Sequence, residues 1–172
     1  ILICIPLAFY YQNTNPFLVD LSVTNPTGKM TLGQISEVLF MLLLPIFYKR
    51  FGFKKTILIG IFAWTTRYIL FSLGALKGED FLLIFGIILH GICYDFFFVS
   101  GQIYTDYKAN KKIKSAAQGL ITLATYGLGM LIGYWIAGRI LSIYTLENGE
   151  FDWFYIWTVS YTHLTLPTNR EV

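Results

Sequence analysis

Residues 30–48, MTLGQISEVLFMLLLPIFY, form an apolar run, followed by the basic stretch 49–55, KRFGFKK, and a second apolar run, 56–76, TILIGIFAWTTRYILFSLGAL. Each run is close to the roughly 20 residues that an α-helix needs to cross a bilayer. A short basic connection between two such runs is typical of a helical hairpin that crosses a membrane twice. This part of the chain therefore predicts an all-α, membrane-embedded fold.

The composition of the whole chain agrees with that prediction. Hydrophobic residues make up 55% of the chain and charged residues 13%, and the mean hydropathy is +0.58. A soluble domain carries about 25% charged residues, so a water-soluble fold is excluded. The two cysteines, Cys4 and Cys93, lie in apolar segments and give neither a disulfide framework nor metal-ligand spacing. Because there is also no catalytic triad or phosphate loop, we predict a non-enzyme without metal or cofactor.

The rest of the chain repeats the pattern of apolar runs separated by turns. Further spans are predicted at 80–104 and 115–143, a partial span at 1–18, and the beginning of a last span at 151. Polar or basic stretches separate these runs, including an Asn-Pro-Thr-Gly turn at 25–28. The sequence thus predicts a polytopic transmembrane helical bundle.

Charge is distributed unequally between the connections. Two connections are rich in basic residues. One holds Lys49, Arg50, Lys54 and Lys55, and the other holds Lys108, Lys111, Lys112 and Lys114. The alternate connections hold only Lys29 and Lys77, together with several acidic residues. Because cytoplasmic loops are enriched in Lys and Arg, we predict that the two rich connections share the cytoplasmic side.

Both termini of the sequence have unusual features. The chain begins at Ile1 within an apolar segment, so we expect it to start partway through a span. Residues 160–172 are polar, contain Pro167 and resemble translated adapter sequence, so we interpret them as a non-native tail. A native polar tail is the alternative. The native part, 1–159, is then a partial six-helix unit.

Ionisable residues within the predicted spans are functional candidates, because burying them in a bilayer is costly. They are Glu37, Arg67, His90, Asp95 and Arg139. Glu37 follows Gln34 by three residues, so the two side chains share a helix face. Such a pair can hydrogen-bond sugar hydroxyls or base edges, and the alternative is a structural clamp between helices.

Two further groups of polar and aromatic residues attract attention. His90 and Tyr94 share a face of the fourth span, where an aromatic ring could stack on a planar base. Asp95 lies about 100° around the same helix and could be a proton site or an ion-pair partner of Arg67 or Arg139. Gln12 and Asn15 interrupt the first span, as in transporters with broken helices, or simply form the polar end of a helix.

Several motifs together resemble the bacterial nucleoside:proton symporters of the major facilitator superfamily. The resemblance covers residues 1–158 and rests on LGQISE at 32–37, KRFGFKK at 49–55, AW at 63–64 with RY at 67–68, GICYDFF at 91–97, SAAQG at 115–119 and DW at 152–153. It implies a twelve-helix fold, of which this chain is the C-terminal half, with helices seven to eleven and the start of twelve. The missing N-terminal half would then be an obligatory partner.

The resemblance also implies roles for individual residues. The residues implied to bind substrate are Gln12, Asn15, Gln34, Glu37, His90 and Tyr94. Proton coupling is implied for Glu37 and Asp95. His90 and Tyr94 stand where the family has a tyrosine and a phenylalanine, which bears on substrate range.

The function implied by the resemblance is proton-coupled nucleoside uptake by alternating access in a bacterial inner membrane. The expected partners are a nucleoside, H⁺ and membrane lipid, with no nucleic acid. Two other functions stay open at this point. One is transport of a sugar or another small polar solute, and the other is a non-transporting membrane scaffold.

Overall fold

The computed structural model describes residues 2–165, which form a bundle of helices. In chain order the α-helices are α1 (Cys4–Asp20), α2 (Pro26–Lys77), α3 (Asp80–Ile88), α4 (His90–Tyr94), α5 (Ser100–Lys108), α6 (Lys114–Thr122), α7 (Met130–Ile143) and α8 (Trp153–Thr165). Two π-helical segments, π1 (Asp95–Val99) and π2 (Leu123–Gly129), join α4 to α5 and α6 to α7. The all-α prediction is confirmed.

Within residues 2–165, three continuous helical stretches are long and apolar enough to cross a membrane: Pro26–Lys77, Asp80–Lys108 and Lys114–Ile143. The 52 residues of α2 would extend about 78 Å, more than twice the hydrocarbon thickness of about 30 Å. Gly52 divides α2, because its φ of 72° and ψ of 168° are not helical. The two predicted spans in this region are therefore confirmed, although the basic stretch between them is helical on both sides of Gly52.

The two halves of α2, 26–51 and 53–77, run in opposite directions. Contacts along the span 80–108 pair Ser36 with Gly91 and Tyr48 with Ser100 for the first half, and Gly74 with Leu83, Arg67 with His90 and Gly60 with Phe96 for the second. The first half thus meets this span in the same chain order and the second half in reverse order. The region is the helical hairpin that the charge pattern predicted.

Helix α1 is packed between several neighbours. Phe17 and Phe9 place their rings 5.2 and 6.4 Å from that of Trp157 in α8. Tyr68 of α2 donates a hydrogen bond to the Pro6 carbonyl. These buried contacts fix α1 against α2 and α8.

The last helix extends beyond the point where the sequence predicted that the apolar span stops. Helix α8 continues through Ser160 to Thr165. Residues 166–172, the remainder of the predicted non-native tail, lie outside the described residues. The origin of that tail stays a prediction.

The two basic connections lie at the same end of the bundle. The ring of Phe53 is 5.7 Å from that of Tyr104 and 6.4 Å from that of Tyr107. At the other end, Lys29 Nζ is 2.8 Å from Asp80 Oδ2. The predicted common side of the basic connections is thus confirmed, and its cytoplasmic location stays a prediction.

Large apolar side chains cover much of the outside of the bundle. Examples with more than half of their surface exposed are Leu42 (73%), Phe62 (72%), Leu120 (68%) and Leu131 (68%). Exposed apolar surface on this scale is unsuited to water and matches the acyl chains of a bilayer. The chain is an integral membrane protein.

Candidate functional site

Three ionisable side chains form a row where α4 packs against both halves of α2. Arg67 Nη1 lies 3.3 Å from His90 Nδ1, and His90 Nε2 lies 3.6 Å from Glu37 Oε2. Arg67 is fully buried and His90 is 2% exposed, whereas 26% of the Glu37 side chain is exposed. The row therefore leads from the interior of the bundle to a carboxylate that a solute can reach.

Aromatic rings surround the buried end of this row. The guanidinium carbon of Arg67 is 3.3 Å from the centroid of the Tyr10 ring and 5.2 Å from that of Trp64. The ring of Tyr10 also stacks on His90, with centroids 4.9 Å apart. A desolvated cation over aromatic faces gains about 2 kcal/mol, which offsets part of the cost of burying Arg67.

Close backbone packing sets the position of Glu37 relative to His90. The amide of Gly91 donates to Ser36 Oγ at 2.9 Å, and Ser36 Oγ donates to the Gly33 carbonyl at 2.9 Å. A Cβ atom on Gly91 would lie only 2.4 Å from the carbonyl oxygen of Ser36. Because Ser36 and Gly91 are the chain neighbours of Glu37 and His90, this contact holds the two side chains within reach.

Two partly accessible tyrosines flank His90. The Tyr94 ring is 5.8 Å from the His90 ring, and its hydroxyl is hydrogen-bonded to that of Tyr126 in π2. The Tyr11 ring lies 6.1 Å from His90 and is 43% exposed. Both rings lie against His90, which faces the half-buried carboxylate of Glu37.

Asp95 is the first residue of π1 and is fully buried. Neither of its carboxylate oxygens has a hydrogen-bond partner among the described residues. The alternative of an ion pair with Arg67 or Arg139 is wrong: Arg67 turns to His90, and Arg139 lies over the Trp135 ring at 5.5 Å on the exposed face of α7. An unpaired buried carboxylate is costly, and π-helical segments often occur at functional sites.

A family profile described as nucleoside H⁺ symporter matches residues 1–166. The chain belongs to the nucleoside H⁺ symporter family. It is 46% identical to YegT of Escherichia coli K12 over 165 residues, which are 91% of this chain and 39% of YegT. Identity to the E. coli nucleoside permease NupG is 31%, covering 83% of this chain and 38% of NupG. Identity to the E. coli xanthosine permease is 33%, covering 84% and 37%.

The solved structure of a relative in the nucleoside H⁺ symporter family confirms the fold. The chain matches the crystal structure of an aspartate-to-alanine mutant of the nucleoside transporter NupG with a TM-score of 0.81 and 29% identity. This match covers 95% of the chain and 44% of NupG, in its C-terminal part. The predicted C-terminal half of a major facilitator superfamily transporter is thus confirmed, and the chain spans less than half the length of its relatives.

Three of the residues that family membership implied as substrate contacts come together: Glu37, His90 and Tyr94. Gln34 is exposed one turn before Glu37 in α2. Their roles in binding stay predictions.

The two predicted residues of α1 lie in different surroundings. Asn15 donates to Thr27 Oγ1 at 3.1 Å and contacts Met30 Sδ at 3.7 Å, so its amide connects α1 to the beginning of α2. Gln12 is half-buried, and its Oε1 has no hydrogen-bond partner among the described residues. Gln12 therefore remains the more available of the two for a ligand.

Sequence reasoning named Arg67 as a functional candidate but not as a partner of His90, and it did not assign Tyr10, Tyr11 or Tyr126 to the site. Arg67 was visible as a charge in an apolar run, but its pairing with His90 depends on the reversal of direction at Gly52. The tyrosines gave no signal that distinguishes them from other aromatic residues in a chain that is 18% aromatic.

Proposed function

We propose that the full-length protein imports nucleosides together with protons across a bacterial inner membrane, by alternating access between this half and an N-terminal half. The observation that supports this most is the accessible carboxylate of Glu37 at the end of the buried row through His90 to Arg67, in a chain of the nucleoside H⁺ symporter family. A transporter binds its substrate without changing it chemically, so selectivity depends on hydrogen bonds and stacking.

The substrate binds through both of its parts. The ribose hydroxyls donate to the carboxylate of Glu37, which carries only acceptors when it is ionised. Gln34, on the same helix face, supplies an amide that both donates and accepts. The base stacks against the ring of Tyr94 or Tyr11, because every base has a π-face that aromatic side chains can cover.

Proton coupling uses the two carboxylates in the spans. Protonation of Glu37 or Asp95 removes a charge from the membrane interior. The loaded carrier then needs less free energy to change from the outward-open to the inward-open conformation. Asp95 lies in π1 without a hydrogen-bond partner among the described residues, so a proton there compensates a buried charge directly.

The decisive experiment measures uptake of labelled uridine by a transport-deficient bacterium that expresses the full-length parent gene, with and without a protonophore. Saturable uptake that collapses with the protonophore is expected. If uridine, adenosine and xanthosine are all rejected, the assignment to nucleosides is wrong and a sugar or another polar solute becomes the substrate to test. Binding without movement across the membrane would instead indicate a scaffold.

Substitution of each carboxylate separates binding from coupling. Glu37→Gln should raise the KM for uridine about tenfold or more, because a ribose hydroxyl loses a charged acceptor. Asp95→Asn should abolish accumulation against a gradient and retain exchange of labelled for unlabelled substrate. The matched control is Glu79→Gln, a carboxylate that is exposed at a turn. Normal proton-driven accumulation by both variants would exclude these residues from coupling.

A further inference from the structure

We propose that Arg67 and His90 are positioning residues, which act together to orient the carboxylate of Glu37 for substrate through one defined tautomer of the imidazole. This inference rests on the proposed function. It adds two residues whose contribution is made through Glu37. The evidence is the order of donors and acceptors along the row, the burial of its inner end and the rings that fix the imidazole plane.

The tautomer follows from the chemistry of Arg67. A guanidinium carries only donors and stays charged, so the 3.3 Å contact between Arg67 Nη1 and His90 Nδ1 requires Nδ1 to accept. The imidazole is then neutral and carries its single proton on Nε2. A proton on Nδ1 would instead point at the guanidinium and lose the hydrogen bond.

The surroundings hold the imidazole in this orientation. His90 is 2% exposed, and the ring of Tyr10 is stacked on it with an angle of 21° between the planes. The guanidinium carbon of Arg67 lies 3.3 Å from the centroid of the same Tyr10 ring. Tyr10 thus fixes donor and acceptor together, and rotation of His90 would break both the stacking and the hydrogen bond.

The outer end of the imidazole acts on Glu37. Nε2–H faces Glu37 Oε2 at 3.6 Å, which is longer than a hydrogen bond but short enough for the N–H dipole to attract the carboxylate. Polar contacts in sites without substrate are often long and shorten when substrate binds. His90 thus orients one carboxylate oxygen of a side chain that is itself 26% exposed.

The first test uses the full-length protein and compares two substitutions of His90. His90→Phe keeps a ring against Tyr10 but removes both nitrogens, and it should raise the KM for uridine about tenfold with little change in Vmax. His90→Gln supplies an acceptor for Arg67 and a donor for Glu37, and should restore most of the affinity. A purely structural role predicts that Vmax per transporter falls in both variants while KM is unchanged, and that result would overturn the proposal.

A double-mutant cycle tests whether His90 acts through Glu37. In a Glu37→Gln background, the added His90→Phe substitution should raise KM less than twofold, because the group that it orients is already changed. Discrimination between uridine and its 2′,3′-dideoxy analogue should fall to the same extent in either single variant and in the double variant. Additive effects on KM would show that His90 acts independently of Glu37.

A spectroscopic measurement does not depend on transport. In ¹⁵N-histidine-labelled full-length protein, the resonances absent from His90→Phe identify His90, and they should show a protonated Nε2 and an unprotonated Nδ1. In Arg67→Met this preference should be lost, whereas Arg139→Met, which changes an exposed arginine, should leave it intact. A protonated Nδ1 in the unsubstituted protein would refute the tautomer. Failure of all nucleosides to be transported, with the tautomer present, would refute the proposed function alone.

Discussion

At the scale of single residues, the site depends on the absence of a side chain at Gly91. Its amide reaches Ser36 Oγ at 2.9 Å, so the backbones of α2 and α4 approach each other directly beside Glu37 and His90. Any side chain at position 91 would have to separate the two helices. The distance between Glu37 and His90 is therefore set by a residue that has no side chain.

Gly91→Ala should lower both stability and substrate affinity. A Cβ there would lie 2.4 Å from the carbonyl oxygen and 2.5 Å from the carbonyl carbon of Ser36, which are backbone atoms that cannot rotate away. Overpacking of this kind costs about 1–3 kcal/mol in the free energy of unfolding. The melting temperature of the purified full-length protein and its KM for uridine measure the two effects. Gly119→Ala, where a Cβ meets nothing within 4 Å, should lower neither, because Ala is favoured over Gly within a helix.

At the scale of elements, Gly52 converts one long helix into two membrane spans. The reversal brings the second half of α2 alongside the span 80–108 in the opposite direction, and this places Arg67 opposite His90. Thr56 Oγ1 donates to the Gly52 carbonyl at 2.9 Å, four residues before it, at the beginning of the second half. The connection can be short because it needs only one residue outside helical geometry.

Gly52→Ala should destabilise the protein through the backbone alone. A Cβ at position 52 meets nothing within 4 Å, so crowding is excluded, but the φ of 72° with a ψ of 168° is a conformation that essentially only glycine adopts. The expected cost is about 1–3 kcal/mol in the free energy of unfolding, read from thermal unfolding in detergent. Gly138→Ala, in the open surface of α7, is the matched substitution without strain. Equal melting temperatures for the two variants would contradict this explanation.

At the scale of the whole molecule, the bundle has two ends of different charge. The basic connections meet near Phe53 and Tyr107, while Asp80 and Lys29 lie at the opposite end. Because cytoplasmic loops are enriched in Lys and Arg, we predict that the end with the basic connections faces the cytoplasm.

Labelling of single cysteines tests the orientation. In a full-length background without exposed cysteines, Glu147→Cys should react with a membrane-impermeant maleimide in intact cells. Lys112→Cys should react only after the cells are opened, although both positions are exposed in the structure. Cys4 and Cys93 are buried and should stay unreactive. The reverse pattern would invert the topology without changing the fold.

The sequence alone determined the class of protein and the positions of its spans. Apolar runs of about 20 residues and alternating basic connections report directly on a bilayer, because every backbone polar group must be satisfied within a helix. The motifs around Glu37 and Asp95 were among those that indicated the family from the sequence alone. The predicted basic connection at 49–55 is helical on both sides of Gly52, because one glycine at positive φ is enough to turn the chain.

Only the tertiary structure decided which of the charged residues meet. Arg67, His90 and Asp95 were equally visible as charges in apolar runs, and sequence spacing allowed Arg67 to pair with Asp95 as well as with any other group. The reversal at Gly52 and the contact of Gly91 with Ser36 place Arg67 against His90 and leave Asp95 without a hydrogen-bond partner among the described residues. Helical periodicity determines which residues share a face of one helix. Contacts between helices depend on how closely and in which direction two helices pack, and the sequence of one helix does not determine this.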